Sequence, residues 1–246
     1  MRRILLWCLL GIRSGGSGTA AFASAMKRTV ETELMEDAAG AEGYARADFE
    51  EAHSRLIELF DAVYRGIEIT GAVLDLGCGP GDVTFRFARR FPAASFVAVD
   101  GSAAMIALAR ERRERSAAGA NISFIETSLS DEAVPRRVYD AIISTSCLHH
   151  LHDPHVLWKT IMCHAVPGTK IFVYDLLRPG DRGSAADMVE YYSGGEPGVL
   201  RRDFYNSLLA AFDPAEVAHQ LVCCGLGELS VRAVSDRHMI IFGAKV

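Results

Sequence analysis

Acids and glycines set around the ends of two apolar segments are the residues of this chain best placed to do chemistry. Val73-Leu74-Asp75-Leu76 runs into Gly77-Cys78-Gly79-Pro80-Gly81, and Asp82 with an amphipathic stretch from Val83 to Phe91 follows. Glycine lacks a Cβ, so such a turn takes backbone angles closed to other residues and lets a ligand lie against the main chain. Strand, glycine turn and helix together make a nucleotide-type cradle at the C-terminal edge of a parallel sheet. The spacing is G-x-G-x-G, not the G-x-G-x-x-G of a dinucleotide pyrophosphate site, which argues against a nicotinamide-dependent oxidoreductase. Asp75 beside the turn suits a ligand carrying an amino group and a sulfonium charge better than a phosphate. A second acid, Asp100, ends Phe96-Val97-Ala98-Val99 about twenty residues later, where a carboxylate can accept both hydroxyls of a ribose. Its bland alternative is to cap the next helix, a task Ser102 can also perform.

Further on, Ser144-Thr145-Ser146-Cys147 leads into Leu148-His149-His150-Leu151-His152-Asp153-Pro154-His155. Histidines at this density invite a metal reading, but a loop after a strand, with Asp153-Pro154 opening a helix, accounts for them without one, and no metal is expected. His149 or His150 can act as a base at neutral pH; packing against a helix and bonding to backbone are the alternatives. Asp175, before Leu176-Leu177-Arg178-Pro179, can orient an amine or hydroxyl, or cap a turn.

The elements that must position these residues follow from periodicity. From Asp37 to Tyr64, Phe49, Ala52, Leu56, Leu59, Phe60 and Val63 recur at helical steps. Short apolar strands then alternate with helices. Strands are expected at 72–75, 95–99, 122–126, 139–144 and 170–175, and helices at 83–91, 103–115 and 156–166. That alternation predicts an α/β fold built on a Rossmann-like, doubly wound parallel sheet with helices on both faces. Residues 181–200 are rich in glycine and polar side chains, with Tyr191 and Tyr192 among them, and read as an insertion of about 178–212 ending in a helix from Phe204. Asp213, Pro214 and Glu216 then signal a capped helix closed by Gly225. Two last strands around the Ser235-Asp236-Arg237 turn read as antiparallel.

Composition sets outer limits. A chain of 246 residues, 50% hydrophobic, fits one α/β domain. A net charge of −5 weighs against nucleic acid as the main partner, and the run from Arg110 to Arg115 interleaves acids as a solvated helix end does. The 6 cysteines show no C-x-x-C pair and sit mostly in apolar runs, as reduced residues do. Residues 1–25 combine Arg2-Arg3, a short apolar run and small residues before Met26. An upstream start with Met26 the natural beginning, an exported leader and an organelle-targeting leader are the three readings; the run is too short to span a bilayer. A cytoplasmic location is the expectation, with export or an organelle the alternative.

The Val73–Gly81 segment resembles motif I of the class I S-adenosylmethionine (SAM) methyltransferases, in the manner of the type 11 and type 25 groups. The resemblance covers nearly everything from Met26 onward. It implies a mostly parallel seven-stranded sheet with an antiparallel C-terminal hairpin, and SAM as cofactor. It implies that Asp75, Gly77 and Gly79 lie along the methionine part, that Asp100 holds the ribose, and that Gly101 and Met105 flank the adenine. The family's acid after the third strand is replaced here by Thr127-Ser128-Leu129, so Ser128 and the Leu129 backbone stand in for it, and Ser144 lies near the methionine part. The histidine loop borders the methyl group in that family. Two segments would close the site: an N-terminal cap of about residues 30–66, offering Tyr44, and the insertion, offering Tyr205 and Asn206. The expected activity is direct in-line transfer of the sulfonium methyl to a small-molecule acceptor, with no nucleic-acid or membrane partner. Methylation of tRNA or protein, or SAM binding without transfer, are the alternatives.

Overall fold

The computed structural model describes residues 26–31, 50–129 and 133–246. The main unit is a single sheet whose strands are β1 (Ala72–Leu76), β2 (Ser95–Asp100), β3 (Ile122–Glu126), β4 (Ala141–Thr145), β5 (Lys170–Leu176), β6 (Ser230–Ala233) and β7 (His238–Ala244). Their order is β3-β2-β1-β4-β5-β7-β6. The first five pair in parallel, and β7 runs antiparallel to both β5 and β6. The expected doubly wound sheet with a closing hairpin is therefore what the chain forms.

Strand side chains alternate between the faces, and here each face has its own core. Ala72, Leu74 and Leu76 of β1, Ile142 of β4 and Ile171 and Val173 of β5 turn to one face, where they meet Leu157, Trp158 and Ile161. Val73, Ala141, Ile143, Phe172 and Tyr174 turn to the other, against a group of phenylalanines. All five residues of β1 are buried, as a central parallel strand requires. On the aromatic side the helices are α1 (Glu50–Val63), α2 (Asp82–Arg90) and α3 (Ala103–Glu114). Phe60 of α1 meets Phe87 edge-on at 5.0 Å and Phe172 at 5.3 Å; full burial of such a ring stabilises the fold by about 1.5–3 kcal/mol. Within residues 50–63, the expected cap is thus part of the layer under the sheet. The opposite face carries α4 (His155–His164) and α7 (Pro214–Cys223), the latter opened by the expected capping box of Asp213 and Glu216.

The insertion differs from its sequence expectation. Residues 182–193 form a helix, α5 (Arg182–Ser193), and a second, α6 (Gly198–Ala210), starts before Phe204. Asp181 caps α5 by accepting the Ser184 amide at 2.9 Å, and Ala185 and Val189, four residues apart, bury one narrow face. The glycines that suggested a loop lie in the first turn of α5 and just past its end. With Leu176, Leu208 and Leu209 these helices make a small third core, and Met26 packs against it. The segment 26–31 lies along this core without regular structure, its Thr29 amide donating to the Leu209 carbonyl at 2.9 Å.

β1 sits between β2 and β4, where the strand order reverses. In open α/β sheets the crevice beyond the strand ends at such a point is where ligands bind. The glycine turn and the histidine loop both leave the sheet there.

Candidate active site

The glycine turn is shaped by three left-handed residues, with φ of +74° at Gly77, +52° at Gly79 and +81° at Gly81. They are constrained differently. A Cβ at Gly77 would sit 2.4 Å from the Cys147 sulfur, and one at Gly81 would sit 2.8 Å from the Phe124 ring. A Cβ at Gly79 would meet nothing within 4 Å, and the same is true of Gly101. Two of the turn's glycines therefore serve packing, and Gly79 faces open space.

Asp100 joins the two turns. One oxygen accepts the Gly79 amide and the other the Ser102 amide, each at 2.8 Å. The cap of α3 is Ser102, whose hydroxyl accepts the Met105 amide. Asp100 is thus not the helix cap but a brace between the β1 and β2 turns. Asp75 is buried at 1% exposure and accepts the Thr84 hydroxyl at 2.6 Å. Burial pushes its carboxyl up to about 7, with Asp100 adding to the rise and Thr84 opposing it. Asp75 lies inside the turn's foundation, and contact with a ligand would pass through the backbone it supports.

Around the expected adenine end, Met105 is buried beside the Gly101 turn and Thr127 donates its amide to the Asp100 carbonyl at 2.9 Å. Leu129 turns its side chain into the core, and its carbonyl accepts the Thr160 hydroxyl at 2.7 Å. The Leu129 carbonyl thereby also helps to hold α4, and Ser128 is the exposed polar side chain at that rim. Ser144 is fully buried and donates its hydroxyl to the Leu76 carbonyl at 2.7 Å, at the base of the glycine turn.

After β4, Ser146 is held at φ +51°, a left-handed angle that costs a non-glycine residue about 1 kcal/mol or more. Its amide is pinned to the Tyr174 carbonyl at 2.9 Å, and the chain then turns sharply through Leu148–His150. Asp175, 1% exposed, organises that turn. It accepts the Leu148 and Leu176 amides, each at 2.8 Å, and bonds His149 Nδ1 at 2.7 Å. Burial alone would raise the Asp175 carboxyl, but the His149 ring and the two amides outweigh it and hold it below the ordinary value. Burial, helped by the neighbouring His150, lowers the His149 pKa, so His149 is neutral, donates from Nδ1 and keeps the lone pair of Nε2. Asp175 is thus buried and committed to the turn through these three contacts.

His150 has a partner that the sequence did not reveal. Glu31, from the segment before α1, meets His150 Nδ1 at 2.6 Å and accepts the Ser207 hydroxyl on its other oxygen at 2.6 Å. Burial pushes the imidazole down, yet Glu31 reverses this and leaves the His150 pKa raised. Arg28 anchors the segment through the carbonyls of His149 at 2.9 Å, Leu151 at 2.8 Å and Ala210 at 2.6 Å. The rings of His149 and His150 lie 4.0 Å apart. Among the described residues, Glu31, His149 and His150 also bring possible metal-ligand atoms within 4.8 Å of one another.

The acceptor-side expectations fare unevenly. Tyr44 lies outside the described residues. Tyr205 is half-buried against the third core. Asn206 is exposed, and the next residue, Ser207, is the one that reaches the cluster. Arg28, Glu31 and Ser207 are joined to the histidine turn by contacts spanning more than a hundred residues, and no local spacing marks them.

A doubly wound sheet that ends in an antiparallel hairpin, with a G-x-G-x-G turn at its switch point, defines the class I methyltransferase architecture. Residues 73–168 match the family described as methyltransferase domain. An uncharacterized methyltransferase of Mycobacterium tuberculosis is 25% identical over 152 residues, covering 62% of this chain and 74% of that protein. A trans-aconitate 2-methyltransferase of Mycobacterium ulcerans is 36% identical over 111 residues, 43% of this chain but only 38% of that protein. Among solved structures, a putative S-adenosyl-L-methionine-dependent methyltransferase of Methanococcus maripaludis superposes with a TM-score of 0.65 at 15% identity, covering 89% of this chain and 98% of that one. The plantazolicin methyltransferase BpumL in complex with SAH gives 0.64 at 15% identity, covering 83% and 89%. Residues 73–168 thus carry the likeness to a methyltransferase domain, and the fold around them is the one seen in solved SAM-dependent methyltransferase structures.

Proposed function

We propose that this protein binds SAM and transfers its methyl group to a small-molecule acceptor lying between the glycine turn and the His149–His150 turn. One observation carries the reading: two turns with open backbones, at Gly79 and Gly101, are braced by one carboxylate, Asp100. The residues fit the cofactor. Each Asp100 oxygen has one lone pair engaged by an amide and another left for a ribose hydroxyl, and no Cβ fills the space before either turn. Gly77 and Gly79 would lie along the methionine part, Met105 and Gly101 beside the adenine, and Ser128 at its rim.

When bound, SAM supplies a methyl group on a sulfonium sulfur, whose C–S bond breaks with its electron pair left on sulfur as the acceptor's bond to carbon forms. The chain's own work is to align the two partners and exclude water. His149, neutral and locked by Asp175, and His150, held by Glu31, line the acceptor side and bring the acceptor to its deprotonated, nucleophilic form. The net charge of −5 and the relative named for trans-aconitate favour a small molecule.

Incubation of the protein with methyl-labelled SAM and a fractionated cell extract tests this. Label should appear in a low-mass product with the wild type and, at sub-saturating SAM, about 10- to 150-fold more slowly with Asp100→Ala. Label confined to RNA or protein would overturn the acceptor class, and no transfer to any fraction would overturn the activity.

A further inference from the structure

We infer that Glu31, His149 and His150 form a binding site for a divalent transition-metal ion of the Zn2+ type, at the acceptor end of the pocket. Two imidazoles and one carboxylate make a three-ligand set of the kind that leaves a coordination position open for water or substrate. Their donor atoms already lie within 4.8 Å of one another.

The surroundings are those of a metal site, in which outer partners fix each ligand's orientation. His149 gives Nδ1 to buried Asp175 at 2.7 Å, so Nε2 is the atom it can offer. Glu31 is oriented by the Ser207 hydroxyl at 2.6 Å and its carbonyl by His152 Nε2 at 2.9 Å. Arg28 fixes the turn that carries both histidines. The 2.6 Å contact of His150 with Glu31 holds two donor atoms close to the spacing of about 3 Å set by metal–ligand bonds of about 2.0–2.1 Å. A cation enters by replacing the proton between them. Bound there, it would hold an acceptor hydroxyl, thiol or carboxylate as its anion at neutral pH. That consequence rests on the methyl-transfer reading; the binding of the ion does not.

Chelator-stripped full-length protein should be dialysed against micromolar Zn2+, and separately titrated with Co2+ while visible d–d absorption is recorded. One ion per chain is expected. Glu31→Gln and His150→Ala should each weaken binding about 100-fold or more, and Ser207→Ala, which removes the partner that orients Glu31 but no ligand, by about 10-fold. The exposed Cys223–His219 pair is the adventitious alternative, so Cys223→Ser with His219→Ala should leave the stoichiometry unchanged. Wild type that binds no ion overturns the inference, as does binding that survives Glu31→Gln with His150→Ala or is lost with the surface pair. Calorimetry with SAM on the same samples separates the two readings: SAM binding without metal binding defeats this inference alone, and metal binding without SAM binding defeats only the assignment of the methyl donor.

Discussion

Asp100 accepts the Gly79 amide at 2.8 Å and so ties the turn after β1 to the end of β2. The same carboxylate takes the Ser102 amide on its other oxygen. One side chain thus holds both turns at the crevice, and neither Gly79 nor Gly101 puts anything into the space before it.

Asp100→Ala should therefore cost both ligand contact and turn alignment. The expected loss in SAM binding is roughly 1.5–3 kcal/mol, about 10- to 150-fold, the scale of hydrogen bonds to a charged group. Titration calorimetry measures it. An unchanged affinity would mean that Asp100 serves only as a brace.

Two glycines of the same turn should respond oppositely to alanine. Gly77→Ala places a methyl 2.4 Å from the Cys147 sulfur at φ +74°, so left-handed strain of about 1–2 kcal/mol adds to overpacking of about 1–3 kcal/mol. Its melting temperature should fall markedly. Gly79→Ala carries the strain alone and should unfold at a temperature nearer the wild type, while its methyl group intrudes on the cofactor space and weakens SAM binding by more than the strain accounts for. Equal stability losses in thermal unfolding would contradict the division.

Much of this fold was legible because strands and helices announce themselves locally. The apolar run of β4 and the Asp213-Pro214-Glu216 cap carry their meaning within a few residues. Asp75, Gly79 and Asp100 were legible for the same reason, each at a strand end with a fixed spacing. The helix at 182–193 was obscured, since its buried face is only Ala185 and Val189 and glycines flank it. Glu31 and Ser207 were hidden for a deeper reason. They act through side-chain contacts made only after the third core brings 26–31 and α6 beside the histidine turn. Asp175 was recognised by position, but its threefold commitment to Leu148, Leu176 and His149 depends on the left-handed turn at Ser146, which no residue type signals.

Asp75 should make stability depend on pH. Its folded pKa of about 7 lies above the ordinary 3.8, so the fold favours the protonated form. That contribution is complete below about pH 4 and is lost as pH rises towards 7, amounting to about 4 kcal/mol in the ligand-free protein. Asp75→Asn keeps an acceptor for Thr84 and removes the ionisation. Urea unfolding should show the variant more stable than wild type at pH 8 and similar at pH 4. Parallel pH profiles would show that Asp75 does not titrate in this range.

Asp175→Asn probes positioning apart from binding. The amide can still accept from the turn but no longer matches the charge or the donor of His149. Turnover should fall by about 10²- to 10⁴-fold while SAM affinity stays within about twofold, and Asp175→Ala should in addition destabilise the fold by about 1–3 kcal/mol for each buried donor it leaves unpaired. Steady-state kinetics beside calorimetry distinguishes this from a purely structural role, in which turnover and SAM affinity would fall together.

The most direct test of the central claim is calorimetric titration of the full-length protein with SAM, with NAD as the comparison ligand. The account predicts one SAM site per chain, weakened in Asp100→Ala, and no heat of binding with NAD. Binding of NAD in place of SAM, or SAM binding indifferent to Asp100, would contradict it.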